Sequence, residues 1–139
     1  MIAPYRLQRA LLDKEATLGP LCGALGLDVP AKAHVTIAWS AAPVDWDLPI
    51  FAAHPGPLLV APTSPRLELF DDGSALVLAF ECPALENRHA RLMAAGTSWA
   101  HAHYIPHITL GRRPGLLPKV DRTILPTLLH FGPEHRREP

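Results

Sequence analysis

The sequence predicts an α+β fold of two small, pseudo-symmetric lobes of antiparallel strands, with outer helices and a central cleft. Its 139 residues suffice for one domain, which we expect to span residues 1–139. The order helix, loop and strand occurs twice, and each time the strand carries the pattern His-x-Thr. A hairpin signal, Asp71-Asp72-Gly73-Ser74, separates two further strand-like runs.

The first half begins with a predicted strand from Tyr5 to Leu12. A short or kinked helix follows, for which we predict Thr17 as N-cap and Gly26 as C-cap. This placement puts Pro20 in the first helical turn, where proline is tolerated. The first His-x-Thr strand is then expected from Val35 to Trp39.

The second half contains a proline-rich loop and the remaining elements. Residues 41–65 hold little periodicity and are predicted as loop, with at most a short strand at Leu58–Ala61. Proline opens the second helix and glycine ends it, a common pattern at helix boundaries. The other predicted elements are strands Arg66–Phe70 and Ala75–Glu81, the helix Pro83–Ala95 closed by Gly96, strand Tyr104–Leu110, and a last strand Thr127–Phe131 before a polar tail.

Composition narrows the classes of function. Formal net charge is zero, which argues against a protein that tracks long DNA or RNA. The positive charges concentrate in the last third of the chain, which suits a small anionic ligand. We find no membrane-length apolar run and no signal segment, so we expect a soluble, cytoplasmic protein. We also expect a monomer. Cys22 and Cys82 are predicted as small buried side chains rather than a disulfide.

Two histidine–threonine pairs are the main functional signal. His34 and Thr36 lie two residues apart, as do His107 and Thr109, and residues i and i+2 of a strand share one face. Two imidazoles can divide general base and general acid roles at neutral pH. The threonine hydroxyls could stabilise charge on a phosphate. The pattern favours phosphodiester cleavage by a ribose 2′-hydroxyl, giving a 2′,3′-cyclic phosphate; purely structural roles are the alternative.

A metal site is the competing explanation. His101 and His103 would share a strand face, and imidazoles are common ligands of transition metals. However, these two histidines have no adjacent carboxylate in the sequence. We therefore predict no metal and no cofactor.

Further residues are candidates for binding a nucleotide. Aromatic rings can stack on bases, arginines can hold phosphate, and a carboxylate can contact a base edge. Trp46 lies in a polar loop suited to a mobile lid. The candidates are Tyr5, Trp39, Trp46, Trp99, Tyr104, Arg112, Arg113 and Glu134.

The motifs resemble those of the two-histidine (2H) phosphoesterase superfamily, which includes RNA 2′,3′-cyclic phosphodiesterases and 2′-5′ RNA ligases. The segments that carry the resemblance are His34–Ser40, Val44–Trp46, Tyr104–Gly111 and Phe131–Glu134. They look most like phage anti-CBASS phosphodiesterases. Trp39 departs from the tyrosine expected at its position.

The resemblance implies a metal-independent hydrolase that destroys the cyclic di- and trinucleotide messengers of a bacterial antiphage system. It implies His34 and His107 as the acid–base pair, Thr36 and Thr109 as phosphate-binding residues, and Tyr5 and Glu134 as base or ribose contacts. Two alternatives remain open at the level of sequence. One is an enzyme acting on RNA 2′,3′-cyclic ends, and the other is a protein that sequesters cyclic nucleotides without cleaving them.

Overall fold

The computed structural model describes residues 2–3, 5–99, 101, 103–112 and 115–138. A seven-stranded antiparallel sheet and two helices form an α+β fold, as the sequence predicts. A two-stranded ribbon pairs β1 with β4. The elements are β1 (Ile2–Ala3), β2 (Arg6–Leu11), α1 (Lys14–Leu25), β3 (His34–Trp39), β4 (Val44–Asp45), β5 (Leu58–Val60), β6 (Thr63–Phe70), β7 (Ala75–Glu81), α2 (Pro83–Ala94), β8 (His107–Arg112) and β9 (Leu129–Arg137), with 3₁₀ turns at Pro49–Phe51 and Arg122–Ile124.

The two motif strands are neighbours in this sheet, whose order is β5-β9-β2-β3-β8-β7-β6. Instead of lying in two lobes separated by a cleft, as predicted, they pair side by side within one sheet. Val35 of β3 pairs with Ile108 of β8, and both side chains are fully buried. Because each motif strand has an apolar face, the two strands bury those faces most completely by continuing one sheet.

Each motif strand also lies beside the strand that precedes its helix. β2, α1 and β3 follow one another, and β2 pairs with β3. β7, α2 and β8 repeat this arrangement, with β7 paired to β8. The centre of the sheet is therefore built from two strand–helix–strand units that meet at β3 and β8.

One face of the sheet carries the hydrophobic core. Leu18 and Leu21 of α1, and Leu85 and Leu92 of α2, are buried in one cluster with the apolar side chains of β3 and β8. In antiparallel pairs, side chains of directly opposite residues share a face. The histidines and threonines of the motifs alternate with these core residues and so lie on the other face.

Helix α1 differs from the prediction at its start. It begins after Asp13, not Thr17, and Pro20 lies inside it. Pro20 is exposed, so its ring does not disturb the core, and the helix continues through it. The predicted end is confirmed, because Gly26 adopts a left-handed φ of 69° and its N–H bonds to the last-turn carbonyls.

The last strand is longer than predicted, and the cysteines lie where the sequence predicts. The last strand continues to Arg137, so most of the predicted polar tail is paired with β2. Cys22 and Cys82 are free and buried, as predicted. Neither helix in the described part of the chain is long and apolar enough to cross a membrane.

Candidate functional site

A cleft of about 390 Å³ opens on the sheet face opposite the core, where β3 and β8 meet. His34, Thr36, His107 and Thr109 all line it. Continuing the pairing of Val35 with Ile108 places each histidine opposite the threonine of the other motif. The cleft floor is therefore a crossed arrangement of two imidazoles and two hydroxyls.

The two imidazoles are held in the same way. Nδ1 of His34 lies 2.8 Å from the carbonyl oxygen of Lys32. Nδ1 of His107 lies 2.9 Å from the carbonyl oxygen of Ile105. A carbonyl can only accept, so Nδ1–H donates in both cases and each neutral ring keeps its lone pair on Nε2. Both histidines thus have the tautomer that leaves Nε2 for proton transfer.

Both imidazoles have a pKa below that of an ordinary histidine. Burial is the largest cause for each, and it outweighs the hydrogen bond to the backbone carbonyl, which raises the pKa. Neighbouring cations, led by Arg6, also lower the pKa of His34. For His107, the carboxylate of Asp71 raises the pKa, whereas His101 and His34 lower it. Both rings are therefore neutral near pH 7, and an anion in the cleft would favour protonation of either.

The walls of the cleft combine aromatic and charged side chains. Phe70 lies edge-on to His107, with ring centroids 4.6 Å apart. Arg112 donates to Asp71 over 2.6 Å, and both side chains are exposed enough to meet a ligand. The remaining wall residues are Arg6, Trp39, Ala75, Val77, Trp99 and His101. Such a cleft offers aromatic faces for bases and guanidinium groups for phosphate.

Several of the predicted binding residues lie in this cleft. Trp39, Trp99 and Arg112 line it together with the four motif residues. Arg113, the other predicted phosphate-binding arginine, lies outside the described residues.

Two predicted aromatic contacts lie elsewhere. Trp46 is fully buried, so its predicted role as a mobile lid is wrong. The centroid of its ring lies 5.0 Å from that of Phe51 and 5.7 Å from that of Tyr5, and the Tyr5 and Trp46 rings are nearly perpendicular. Tyr5 is half-buried in this group and is not among the residues that line the cleft. Trp46 has a large apolar surface, and burying it stabilises the core beside β4.

Tyr104 lies beneath β3 instead of in the cleft. Its hydroxyl donates to the carbonyl oxygen of Thr36 over 2.8 Å. Its ring stacks on His89, with centroids 4.1 Å apart. Burial raises the pKa of Tyr104 far above its ordinary value, so the hydroxyl stays protonated as a donor. The sequence predicted a ligand contact, whereas this side chain is engaged by Thr36 and His89 on the core side of β3.

Glu134, predicted as a base or ribose contact, also lies away from the cleft. It pairs with Arg9, which in turn pairs with Val35, so Glu134 lies on the core face. Its carboxylate accepts from Nε and Nη2 of Arg88, both at 3.1 Å, and from the backbone N–H of His54 at 3.0 Å. The carboxylate is almost fully buried and does not reach the cleft.

Three charged or aromatic residues of the cleft, Arg6, Phe70 and Asp71, were not predicted from the sequence. Arg6 alternates along β2 with the core residue Leu7, and that alternation could have identified it. Asp71 and Phe70 were assigned only to the hairpin. Their proximity to His107 depends on β8 pairing with β7, which no local pattern reveals.

Within the described part of the chain, the structure does not group His101 and His103 with other side chains that could together bind a metal. His101 lines the cleft, and His103 lines the adjoining pocket. Among the residues that the structure describes, no three His, Cys, Asp or Glu side chains are grouped so that they could hold a metal ion.

Comparison with known proteins places the chain in a family. The model of the family described as anti-CBASS protein Acb1 matches residues 24–138, which include both histidine–threonine motifs. The chain belongs to the Acb1 family. An anti-CBASS protein Acb1 from Caulobacter sp. (strain RHG1) is 36% identical over 104 residues, which is 73% of this chain. The chain spans only 17% of the length of that Acb1 relative.

Proposed function

We propose that this Acb1-family chain is a phosphodiesterase that hydrolyses the 3′-5′ linkages of cyclic di- and trinucleotide messengers and so counters CBASS defence. One observation carries the proposal: His34 and His107 line one cleft, and each is held through Nδ1 with Nε2 left to react. The proposed likeness to 2H phosphoesterases is supported by the repeated strand–helix–strand units that meet at the motif strands.

The proposed cleavage step uses groups of the cleft and of the substrate. One histidine takes the proton of a ribose 2′-hydroxyl through Nε2. The 2′-oxygen attacks phosphorus, and the bond from phosphorus to the 5′-oxygen breaks. The other histidine, protonated, gives its proton to the departing 5′-oxygen. The products are a free 5′-hydroxyl and a 2′,3′-cyclic phosphate, which water then opens.

The cleft contains groups that can stabilise the negative charge that develops on the phosphate in the transition state. Thr36 and Thr109 stand opposite the histidines and can donate to the non-bridging oxygens of phosphorus. Arg6 and Arg112 on the walls add positive charge near the same atoms. Diagonal neighbours on adjacent antiparallel strands lie typically about 7–8 Å apart, which leaves room for one phosphodiester between the two imidazoles.

The experiment incubates the purified chain with a cyclic dinucleotide in excess chelator and separates the products. A linear product or a mononucleotide supports the phosphodiesterase, and we expect H34A and H107A each to reduce its formation by at least about a thousandfold. His130→Ala, which removes an exposed histidine from β9, serves as the matched control and should be fully active. Robust turnover by either motif variant would exclude the paired mechanism.

Two further substrates separate the alternatives. Unchanged dinucleotide recovered after heat denaturation would identify a sequestering protein. Cleavage of RNA 2′,3′-cyclic ends in preference to the cyclic dinucleotide would identify an RNA-end enzyme. A substrate that lacks the 2′-hydroxyl at the scissile linkage should stay intact, because the proposed attack starts from that oxygen.

A further inference from the structure

A second cavity of about 450 Å³ lies beside the cleft on the same side of β3. His34 lines both, so the two cavities adjoin at this residue. The proposed reaction uses only the cleft, and nothing in it explains the second cavity. The cavity is formed by β2, the start of α1, the segment before β3 and the end of β9.

The charged side chains that line this cavity in the described chain are all basic. Lys14 is half-buried, and Lys32 and Arg137 are exposed. His135 adds a fourth group that can be cationic. Arg137 and His135 both lower the pKa of His34, which indicates that their charge acts across the boundary between cavity and cleft. A pocket of this charge attracts an anion.

A buried polar group points to more than diffuse attraction. Gln8 is only 3% exposed and lines the cavity. Its Nε2 lies 3.1 Å from Nε2 of His135, but its Oε1 has no hydrogen-bond partner. Leaving a buried carbonyl oxygen unpaired costs about 1–3 kcal/mol. The oxygen itself has almost no exposed surface, so a bound molecule with a hydroxyl or amino donor would satisfy it once the amide turns toward the cavity.

We propose that this basic pocket holds the non-scissile phosphate and the adjoining ribose of the same cyclic oligonucleotide whose scissile linkage lies in the cleft. This inference rests on the proposed function. Lys14, Lys32 and Arg137 hold the phosphate, and the Gln8 amide receives a sugar hydroxyl. His34 stands between the two linkages. The pocket would make the protein prefer a substrate with two phosphodiesters over one with a single phosphate.

The test compares two substrates in steady-state kinetics. One is a cyclic dinucleotide, and the other is a nucleoside 2′,3′-cyclic phosphate, which has one phosphate and cannot fill the pocket. In the double variant K14A/K32A we expect the ratio of the two kcat/KM values to fall about tenfold, mainly through KM for the dinucleotide. The double variant K119A/R122A is the matched control, because both residues are exposed and lie outside the two cavities.

A conservative change at Gln8 provides a second measurement. Gln8→Glu keeps the size of the side chain but places a carboxylate against the proposed phosphate, so KM for the dinucleotide should rise at least tenfold. Circular dichroism checks that both variants fold. An equal loss of kcat/KM on both substrates would overturn the proposed role of the pocket, and so would the same ratio of kcat/KM values in variant and control. Neither result would contradict the proposed phosphodiesterase activity.

Failure of the proposed function itself gives a different result. If the unaltered protein cleaves neither substrate, calorimetric titration with the intact dinucleotide measures binding in the same variants. A tenfold weaker Kd in K14A/K32A, with the control unchanged, would then support the pocket without catalysis. No change in Kd would overturn it.

Discussion

The two motif histidines have matching backbone contacts but different electrostatic neighbours. His34 faces cations, led by Arg6, which lower its pKa further. His107 has the carboxylate of Asp71 nearby, which raises its pKa against the effect of burial. An acid–base pair works best when its two members differ in proton affinity. Asp71 contributes to a difference in pKa between the two histidines, because it raises the pKa of His107 and is not among the groups that shift His34.

Replacing Asp71 should reveal which histidine is the acid. Asp71→Asn removes the charge and keeps a side chain that tolerates the positive φ of 54° at this position. The pKa of His107 then falls, so one limb of the bell-shaped profile of kcat/KM against pH moves to lower pH. We expect a two- to fivefold change, roughly, on that limb. The alkaline limb moves if His107 is the acid, and the acidic limb moves if it is the base.

The neighbouring turn residue provides the control for this profile. Asp72 is exposed, has a similar φ of 57° and is not among the residues that line the cleft. Asp72→Asn should leave both limbs in place. A profile of Asp71→Asn that matches the unaltered protein would contradict the role assigned to the carboxylate.

At the scale of elements, Glu134 joins β9 to α2 and β2 behind the cleft. Besides Arg88, its carboxylate lies 3.9 Å from Nη2 of Arg9. Burial lowers the pKa of Arg9, and the charge of Glu134 opposes that effect. Two buried guanidinium groups thus share one carboxylate. A buried ion pair adds little net stability compared with apolar residues of the same volume, but removing one partner leaves the other charge uncompensated.

Removing this carboxylate should damage stability and spare the reaction. Glu134→Ala leaves both arginines without their counter-charge, and we expect the free energy of unfolding to fall by about 3–5 kcal/mol. Urea denaturation measures it. Glu81→Ala, at an exposed position of β7, should change it by less than about 0.5 kcal/mol. At a temperature where Glu134→Ala is folded, kcat/KM should stay within twofold, and a selective loss of nucleotide binding would instead restore Glu134 as a ligand contact.

Local patterns predicted the elements better than their arrangement. The alternation around His34 and His107 identified both motif strands and the face that carries their histidines and threonines. Glu134 and Trp46 show where this reasoning ends. A carboxylate near the end of a chain is usually solvated, and a tryptophan between two aspartates looks exposed. Both are buried because partners distant in sequence, Arg88 and Tyr5, meet them only in the folded sheet.

In the molecule as a whole, the two faces of the sheet differ in what covers them. Both helices and the large apolar side chains cover one face, and the other face is left to the cleft and the basic pocket. Among the described residues, the second face buries a smaller apolar group, Ala75, Val77 and Ala79, against Phe70 and Ile105. Stability and the proposed ligand binding therefore depend on largely different residues, although histidines contribute to both sides.

Three histidines should make global stability dependent on pH. Burial lowers the pKa of His34, His89 and His107, so the unfolded chain binds protons more readily than the folded one. Their contribution is complete above the ordinary histidine pKa near 6.5 and is lost as pH falls through the lower folded values. The free energy of unfolding should therefore decrease from pH 7 to pH 5, by at most about 1.4 kcal/mol per pH unit for each group. Urea denaturation across this range tests it, and His89→Gln, which cannot titrate, should reduce the slope. A slope of zero or of opposite sign would show that the three imidazoles gain protons as readily in the folded protein as in the unfolded chain.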